Sequence, residues 1–378
     1  MEINYRLLDA GSDTEIQQWL DLYRLSFHDT MSREYWHWIF ENNPFYLKTR
    51  PLIFIAEKNR RIIGSRSVIP SRIQVNMCQN HSILNLGHLY GAMVHPDMRN
   101  RGIASSLLNN AINLTKDEGY DLLTSFATNL YAYKSLIKAG FTCLNSSKKS
   151  KGYLSVHGLV KNYLPYIPQS FDNTIGFPLS KIFTEIFTQK FPKISHNFRI
   201  QCGEVDEYTG EINRIHALNY SHSGVHGIRT PLFIKWRFSA PGIHSKCLTL
   251  WDRDVMLAYL ILDYPDSGKN FLIEDLFVRE GNEYLISILV SEAVTLLKKV
   301  NGDSVWTYLI DGKRFHSPIF SKQNGFISYT SRETSPLSSM ERFLFFLLNE
   351  NQYPGIFSDK KQWNIWCADF CFFEISDY

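Results

Sequence analysis

The sequence is short of cysteine, of excess charge of either sign and of long apolar runs, and each shortage excludes a class of protein. Six cysteines in 378 residues, Cys78, Cys143, Cys202, Cys247, Cys367 and Cys371, are too scattered for a disulfide framework, so they are read as reduced thiols. The nearest pair, Cys367 and Cys371 in WCADFC, has no second Cys or His pair at zinc-finger spacing; it is read as strand core, and no metal is expected. A net charge of +3 supplies no basic surplus for a polyanion, so a nucleic-acid partner is not expected. The longest strongly apolar run, FLFFLL at 343–348, is far below the roughly 20 residues that span a bilayer, so no membrane partner is expected either. The opening MEINYRLLDAGSDTE has no positive segment followed by an apolar one, which sets the expectation of no signal peptide and a cytoplasmic location.

What is present is globular material: 44% hydrophobic and 14% aromatic residues, in a chain long enough for two domains. Helix-like EIQQWLDLYRLSF and SREYWHWIF lead to a strand LIFIAEK, a turn at NRR, and a second strand IIGSRSVIP. The apolar run ILNLGHLYGAMV reads as a further strand, followed by a helix beginning near Arg101. Next come a buried strand DLLTSFAT, a helix NLYAYKSLIKAG closed by Gly140, and a strand FTCLN. The order is βαβαβ behind a hairpin, an α/β layout with a mixed sheet. NSSKKSKG at 145–152 reads as loop, and the Pro-bearing 160–200 as a connector with one helix at LSKIFTEIFTQKF.

Beyond the connector the pieces return in the same order. SREYWHWIFENNP is echoed by TPLFIKWRFSAP, LIFIAEKNRRIIGS by CLTLWDRDVMLAYL, LYGAMV by IEDLFV, and KAGF by QNGF. Echoes at nearly constant offsets point to a duplicated fold. The boundaries read from sequence are 1–160 for the first domain, 161–197 for the connector and 198–378 for the second domain. Only the joint after the echoed strand differs: HPDMRNRGIA follows Val94, whereas REGNEYLISI follows Val278.

In the first copy, Ile103, Ala104, Leu107, Leu108, Ala111 and Ile112 recur at helical spacing. A helix starting there offers unpaired N–H groups and the positive end of its dipole, a natural seat for phosphate, with Arg99 and Arg101 beside it. Gly102 lets the main chain approach a ligand and Ala104 leaves it room.

This joint, together with the downstream Asn129, Ala132, Gly140 and Phe141, resembles the GNAT superfamily of acyl-CoA-dependent N-acyltransferases over about residues 50–145. The resemblance implies tandem GNAT-like domains of α+β type, the N-terminal copy intact and the C-terminal copy degenerate. It implies that Arg99, Asn100, Arg101, Gly102, Ile103 and Ala104 wrap the coenzyme A diphosphate, that Val94 or its neighbour Met93 supplies backbone near the thioester, and that Asn129 lies beside the pantetheine or the adenosine side of the cleft. The degenerate copy, lacking the joint, is not expected to bind coenzyme A.

Attack of an amine on a thioester needs alignment, a proton acceptor and oxyanion stabilisation. Where the resemblance implies a glutamate base, this chain has His88, with Tyr90 on the same strand face; a histidine of pKa about 6.5 can accept a proton at neutral pH. Where it implies a general-acid tyrosine, this chain has Leu136, leaving Tyr133 or water to protonate the thiolate. Glu274 and Asp275 interrupt the echoed strand of the second copy and are read as acceptor-binding carboxylates. Length, duplication and the Trp and GF landmarks resemble the two-domain N-acyltransferases of nucleotide-sugar pathways, the dTDP-anthrose type in particular. That implies a dTDP-4-amino-4,6-dideoxyhexose acceptor in polysaccharide biosynthesis. Another small amine or a peptide as acceptor, a non-catalytic acyl-CoA-binding protein, and a homo-oligomer stay open.

Overall fold

A computed structural model of the chain describes residues 2–48, 50–77, 80–127, 129–144, 147–155, 198–218, 224–265, 269–279, 281, 282, 284–310, 326–330, 342–348, 357 and 363–366. The first half contains β1 (Asn4–Leu7), α1 (Asp13–Phe27), α2 (Arg33–Trp36) with a π-helical turn at His37–Glu41, β2 (Leu52–Lys58), β3 (Arg61–Met77) and β4 (Asn80–Val94). It continues with α3 (Ile103–Asp117), β5 (Leu122–Ala127), α4 (Leu130–Lys138), β6 (Thr142–Cys143) and β7 (Ser147–Tyr153). The second half contains β8 (Arg199–Glu204), α5 (Thr209–Leu218), β9 (Gly224–Gly227), α6 (Pro231–Arg237), β10 (Ile243–Asp252), β11 (Val255–Pro265) and β12 (Asn270–Val278). It closes with α7 (Leu285–Lys299), β13 (Ser304–Ile310), β14 (Phe326–Thr330), β15 (Arg342–Leu347) and β16 (Trp363–Trp366). The helix read at LSKIFTEIFTQKF, the pair Cys367 and Cys371, and Gln323 to Gly325 lie outside the described residues.

Two compact units result. The first comprises Met1–Ser146, Ser223–Ile228 and Ser331–Gln362; the second comprises Ser147–His222, Arg229–Thr330 and Trp363–Tyr378. The first unit is a mixed sheet in the order β1-β2-β3-β4-β5-β15-β6, parallel between β4 and β5, with β9 on the far end of β3. Local chemistry places its parts. Ser12 caps α1 by accepting from the Glu15 N–H, and His28 ends it in the left-handed region at φ 59°. Asn59 and Arg60, both at positive φ, make the two-residue turn between β2 and β3. The stripe Ile103, Leu107, Leu108 and Ala111 of α3 packs on Leu52, Phe54, Ile63, Val68 and Leu89 of the sheet.

The second unit repeats the plan as β8-β10-β11-β12-β13-β7-β14, again parallel at one place, between β12 and β13. Its core is α7 packed on Leu248, Leu250, Leu260, Leu262 and Ile273. The N-caps Ser32 and Thr230, at matching positions of the echoed segments, accept from the Tyr35 and Phe233 N–H groups alike.

Two local expectations change. IIGSRSVIP does not stop at Pro70: β3 runs through it, because β3 leaves β2 at Val68 and meets β9 only at Ile73, so no ladder bond is asked of the missing proline N–H. NSSKKSKG is not a loop: from Ser147 it is a strand held on both edges, by β13 and by β14. Paired edges supply the backbone bonds that its polar composition concealed.

Candidate active site

The centre of the first unit is a place where strands part. β4 and β5 pair from Leu86↔Leu122 to Leu89↔Ser125; β4 then continues to Val94 and β5 to Ala127 without each other. Past that point β5 is held instead by β15, with Ala127 opposite Arg342. On its other edge β4 carries a bulge, Ser67 facing Tyr90 and Ser65 facing Met93, so that Arg66 opposes both Gly91 and Ala92. Gly91 sits at φ 59°, a conformation that a side chain would strain, and an added Cβ would stand 3.6 Å from Trp19. Ala92 is exposed between buried Tyr90 and Met93, although it lies in an interior strand. A small exposed residue there marks a slot between β4 and β5.

The joint after β4 opens α3 at the end of this slot. The His95 N–H donates to the Ile63 carbonyl (2.9 Å), a 3₁₀ turn spans Pro96–Met98, and Arg99 Nε donates to the Val94 carbonyl (3.3 Å). Asn100 and Gly102 both take positive φ, 61° and 78°. No side chain caps α3, and the first helical bond runs from the Ser106 N–H to the Gly102 carbonyl, so the preceding N–H groups face outward for solvent or a ligand. Arg99, Asn100, Arg101, Gly102 and Ala104 are exposed around them. Gly102 has nothing within 4 Å of a would-be Cβ, and its φ of 78° is a conformation that favours glycine. Ile103 differs from its neighbours: its side chain is 1% exposed and packs where a Cβ on Gly64 would stand (2.9 Å), so only its backbone is available.

His88 and Tyr90 point to the α1 face. His88 is 4% exposed and Nδ1 lies 3.0 Å from Thr124 Oγ1. Burial, helped by the nearby Arg66 charge, pushes its pKa down to about 3, so it stays neutral and takes a proton only at a cost. This departs from the expected acceptor with an ordinary histidine pKa. Tyr90 meets the Tyr23 hydroxyl at 3.4 Å and the edge of Phe40. Asn129 caps α4, its side-chain oxygen accepting from the Ala132 N–H at 2.9 Å; Tyr133 is half-buried against the α3 core and Leu136 is buried in it. A separate cavity of about 280 Å³, lined by Tyr5, Arg6, Asn110, Asn113 and Asp117 among others, lies along the later turns of α3 and away from the slot.

Four residues at the slot escaped the sequence reading. Phe126, the first residue after β4 and β5 part, packs at a tilt against His88 (ring centroids 5.7 Å apart) and against Phe343 of β15 (5.3 Å). Ser67, fully buried opposite Tyr90, has an unpartnered hydroxyl, and Arg66 has a buried unpartnered Nε. No sequence motif marks them; only the register of β3 on β4 and the distant origin of β15 bring them here.

The second unit has the same divergence, for β12 and β13 separate after Ile273↔Thr307 and β12 bulges at Glu274. It is closed from within. Arg229 donates to both Asp275 oxygens (2.7 and 3.0 Å), the Tyr259 hydroxyl donates to Asp275 (2.8 Å), and His216 Nε2 lies 2.7 Å from that hydroxyl. Glu274 pairs with Arg237, and both acids are buried, at 1% and 0% exposure. Glu274 and Asp275, expected to bind the acceptor, are each paired with a buried arginine of their own unit. Nor does α7 offer a seat for phosphate, since Leu285, Ile286, Ser287 and Ile288 are all buried and the Leu285 N–H donates to the Asn282 carbonyl.

Comparison with known proteins agrees with this geometry. Residues 8–137 match a family model described as an acetyltransferase (GNAT) domain. Among solved structures, a GCN5-related N-acetyltransferase from Anabaena variabilis ATCC 29413 matches with a TM-score of 0.57 at 12% identity, over 92% of this chain and 73% of that one. A protein of Enterococcus faecalis V583 described as a probable N-acyltransferase matches with a TM-score of 0.58 at 10% identity, over 92% and 73%. A tandem GNAT protein from the clavulanic acid biosynthesis pathway matches with a TM-score of 0.55 at 14% identity, over 92% and 99%. At such identities these structures establish the fold alone. No curated protein matches the chain. Residues 8–137 thus match a GNAT acetyltransferase domain, and the chain has a tandem GNAT-like fold.

Proposed function

We propose that this chain is an acyl-CoA-dependent N-acyltransferase that works by direct attack of an amine in a ternary complex. The observation that carries the reading is the uncapped, exposed turn at residues 99–104 beside a strand divergence, inside a segment that matches an acetyltransferase domain. The residues present suit coenzyme A: outward N–H groups at a helix start, two exposed arginines, and two left-handed backbone positions that shape the turn. Bound there, the thioester would supply the activated acyl group. Arg99, Asn100, Arg101, Gly102 and Ala104, with the Ile103 backbone, would hold the diphosphate; Asn129 would border the pantetheine or the adenosine side of the cleft. The backbone of Met93 or Val94 would offer an N–H to the developing oxyanion.

The proton chemistry follows from the environment. Neutral His88, anchored on Thr124, can orient the incoming amine by accepting a hydrogen bond, while its depressed pKa leaves net proton removal to water. Leu136 has no proton to give, and the thiolate, with a thiol pKa of about 8.5, needs little help; Tyr133 or water completes the step.

The acceptor we favour is a nucleotide-linked amino sugar such as a dTDP-4-amino-4,6-dideoxyhexose, on the resemblance to two-domain sugar N-acyltransferases. Another small amine or a peptide is the second reading, favoured by the commitment of Glu274 and Asp275 to arginines. A thiol-release assay with acetyl-CoA against a panel containing dTDP-amino sugars, aminoglycosides, simple amines and peptides separates these. Release with the sugar nucleotide alone supports the first. Tight acyl-CoA binding with no release from any amine would leave a non-catalytic acyl-CoA-binding protein.

A further inference from the structure

Among the described residues, arginines that leave solvent take a carboxylate with them, with one exception. Among the described residues, Arg6 pairs with Glu15 and Glu57, Arg229 with Asp275, and Arg237 with Glu274. Arg66 is the only other described arginine that is not exposed, and no acidic group among the described residues pairs with it. Its Nε is buried without a hydrogen-bond partner, while part of the residue keeps a surface. A cation held this way forfeits hydration without compensation, unless an anion arrives at the side that remains open.

Its place on the sheet says where that anion would come from. Arg66 opposes the Gly91–Ala92 bulge of β4. By strand alternation it shares a face with Gly64, which lies under Ile103 and Leu107 of α3, and with Val68, which packs in the same core. Two residues separate it from Gly64, roughly 7 Å along the strand, a span that an arginine side chain covers. The face is therefore that of the α3 turn and of exposed Ala92. The guanidinium also bears on His88, whose pKa it helps to lower, so its charge is felt on β4 where β4 leaves β5. Burial brings the Arg66 pKa down to about 10, which leaves it a cation at neutral pH.

We infer that Arg66 receives an anionic group of the acyl donor, on the α3 face of the bulge. This rests on the proposed acyl-CoA reading and adds a recognition residue to it. The shared chemistry, an oxyanion accepting from a guanidinium, has two sources: the diphosphate of coenzyme A, or a carboxylate at the end of a dicarboxylic acyl chain.

The test is calorimetric titration of the full chain with CoA, acetyl-CoA and succinyl-CoA, in wild type and in Arg66→Met and Arg66→Gln. Weakening of all three ligands by roughly tenfold or more in both variants identifies the diphosphate as the anion. Weakening of succinyl-CoA alone, from a wild type that prefers it, identifies the acyl carboxylate. Equal dissociation constants in wild type and variants for all three overturn the inference, while leaving the acyl-CoA reading intact. A wild type that binds none of them overturns that reading itself. Melting temperatures without ligand add an independent readout: Arg66→Met, which removes an uncompensated buried charge, is expected to melt no lower than wild type, and a clear drop would mean that Arg66 serves the fold instead.

Discussion

At the residue scale, burial decides what each charged group does. His88 is the sharpest case, with a folded-state pKa near 3 against an ordinary value of 6.5. A depressed histidine pKa means that the unfolded chain binds a proton that the folded chain refuses. The stabilising contribution is therefore complete above pH 6.5 and falls away as pH drops toward the folded value. Between pH 7 and pH 5, wild type should lose about 2 kcal/mol more stability than His88→Gln, read from urea unfolding at the two pH values. Parallel losses in the two proteins would show that His88 is not buried as described. In the second unit, Asp275→Ala should cost roughly 3–5 kcal/mol by leaving Arg229 unpaired, and Tyr259→Phe about 1 kcal/mol by removing one hydroxyl. Thermal denaturation measures both. Arg101→Ala belongs to the proposed donor site: the dissociation constant for CoA should rise several-fold while the melting temperature stays put, because Arg101 is exposed.

Among the elements, the two bulged strands show how one plan gives one open site and one closed one. β4 bulges at Gly91 and Ala92, small residues that leave the divergence from β5 clear. β12 bulges at Glu274 and fills the equivalent region with paired charges. The helices that follow repeat the contrast, α3 beginning exposed at Gly102 and α7 beginning with four buried residues. Gly91→Val should therefore destabilise the fold, read as a lower melting temperature, and weaken the proposed CoA binding, because a β-branched residue is asked to hold φ 59° beside Trp19. Gly102→Ala meets no atom and should cost about 1 kcal/mol through its backbone alone, with a moderate loss of CoA affinity by calorimetry. The strand-turn-helix joint was legible in advance because its glycine, arginines and apolar spacing are local. The roles of Glu274 and Asp275 were not, since a pair of acids in a strand looks the same whether it faces a ligand or two arginines arriving from about 40 residues away.

For the whole molecule, the consequential feature is an exchange of strands. The place between β5 and β6 is taken by β15, from near the C-terminal end of the described chain, and the place between β13 and β14 by β7, from the first half. Residues 1–160 expressed alone should therefore lack the partner of β5, expose Phe126 and aggregate; produced together with 161–378 they should copurify as a folded pair. A soluble, CoA-binding 1–160 fragment would show the exchange to be dispensable. Read along the chain, the boundaries fall at 160 and 198, because a linear pattern assigns every strand to the domain in which it occurs in sequence. By itself the sequence determined the duplication, the mixed sheet and the strand-turn-helix joint, all of which depend on periodicity and neighbours within about ten residues. Tertiary structure alone decided which strand pairs with which edge, the partners of the buried acids and the isolation of Arg66. Those depend on hydrogen-bond register and desolvation between segments far apart in the chain, and neither leaves a local mark on the sequence.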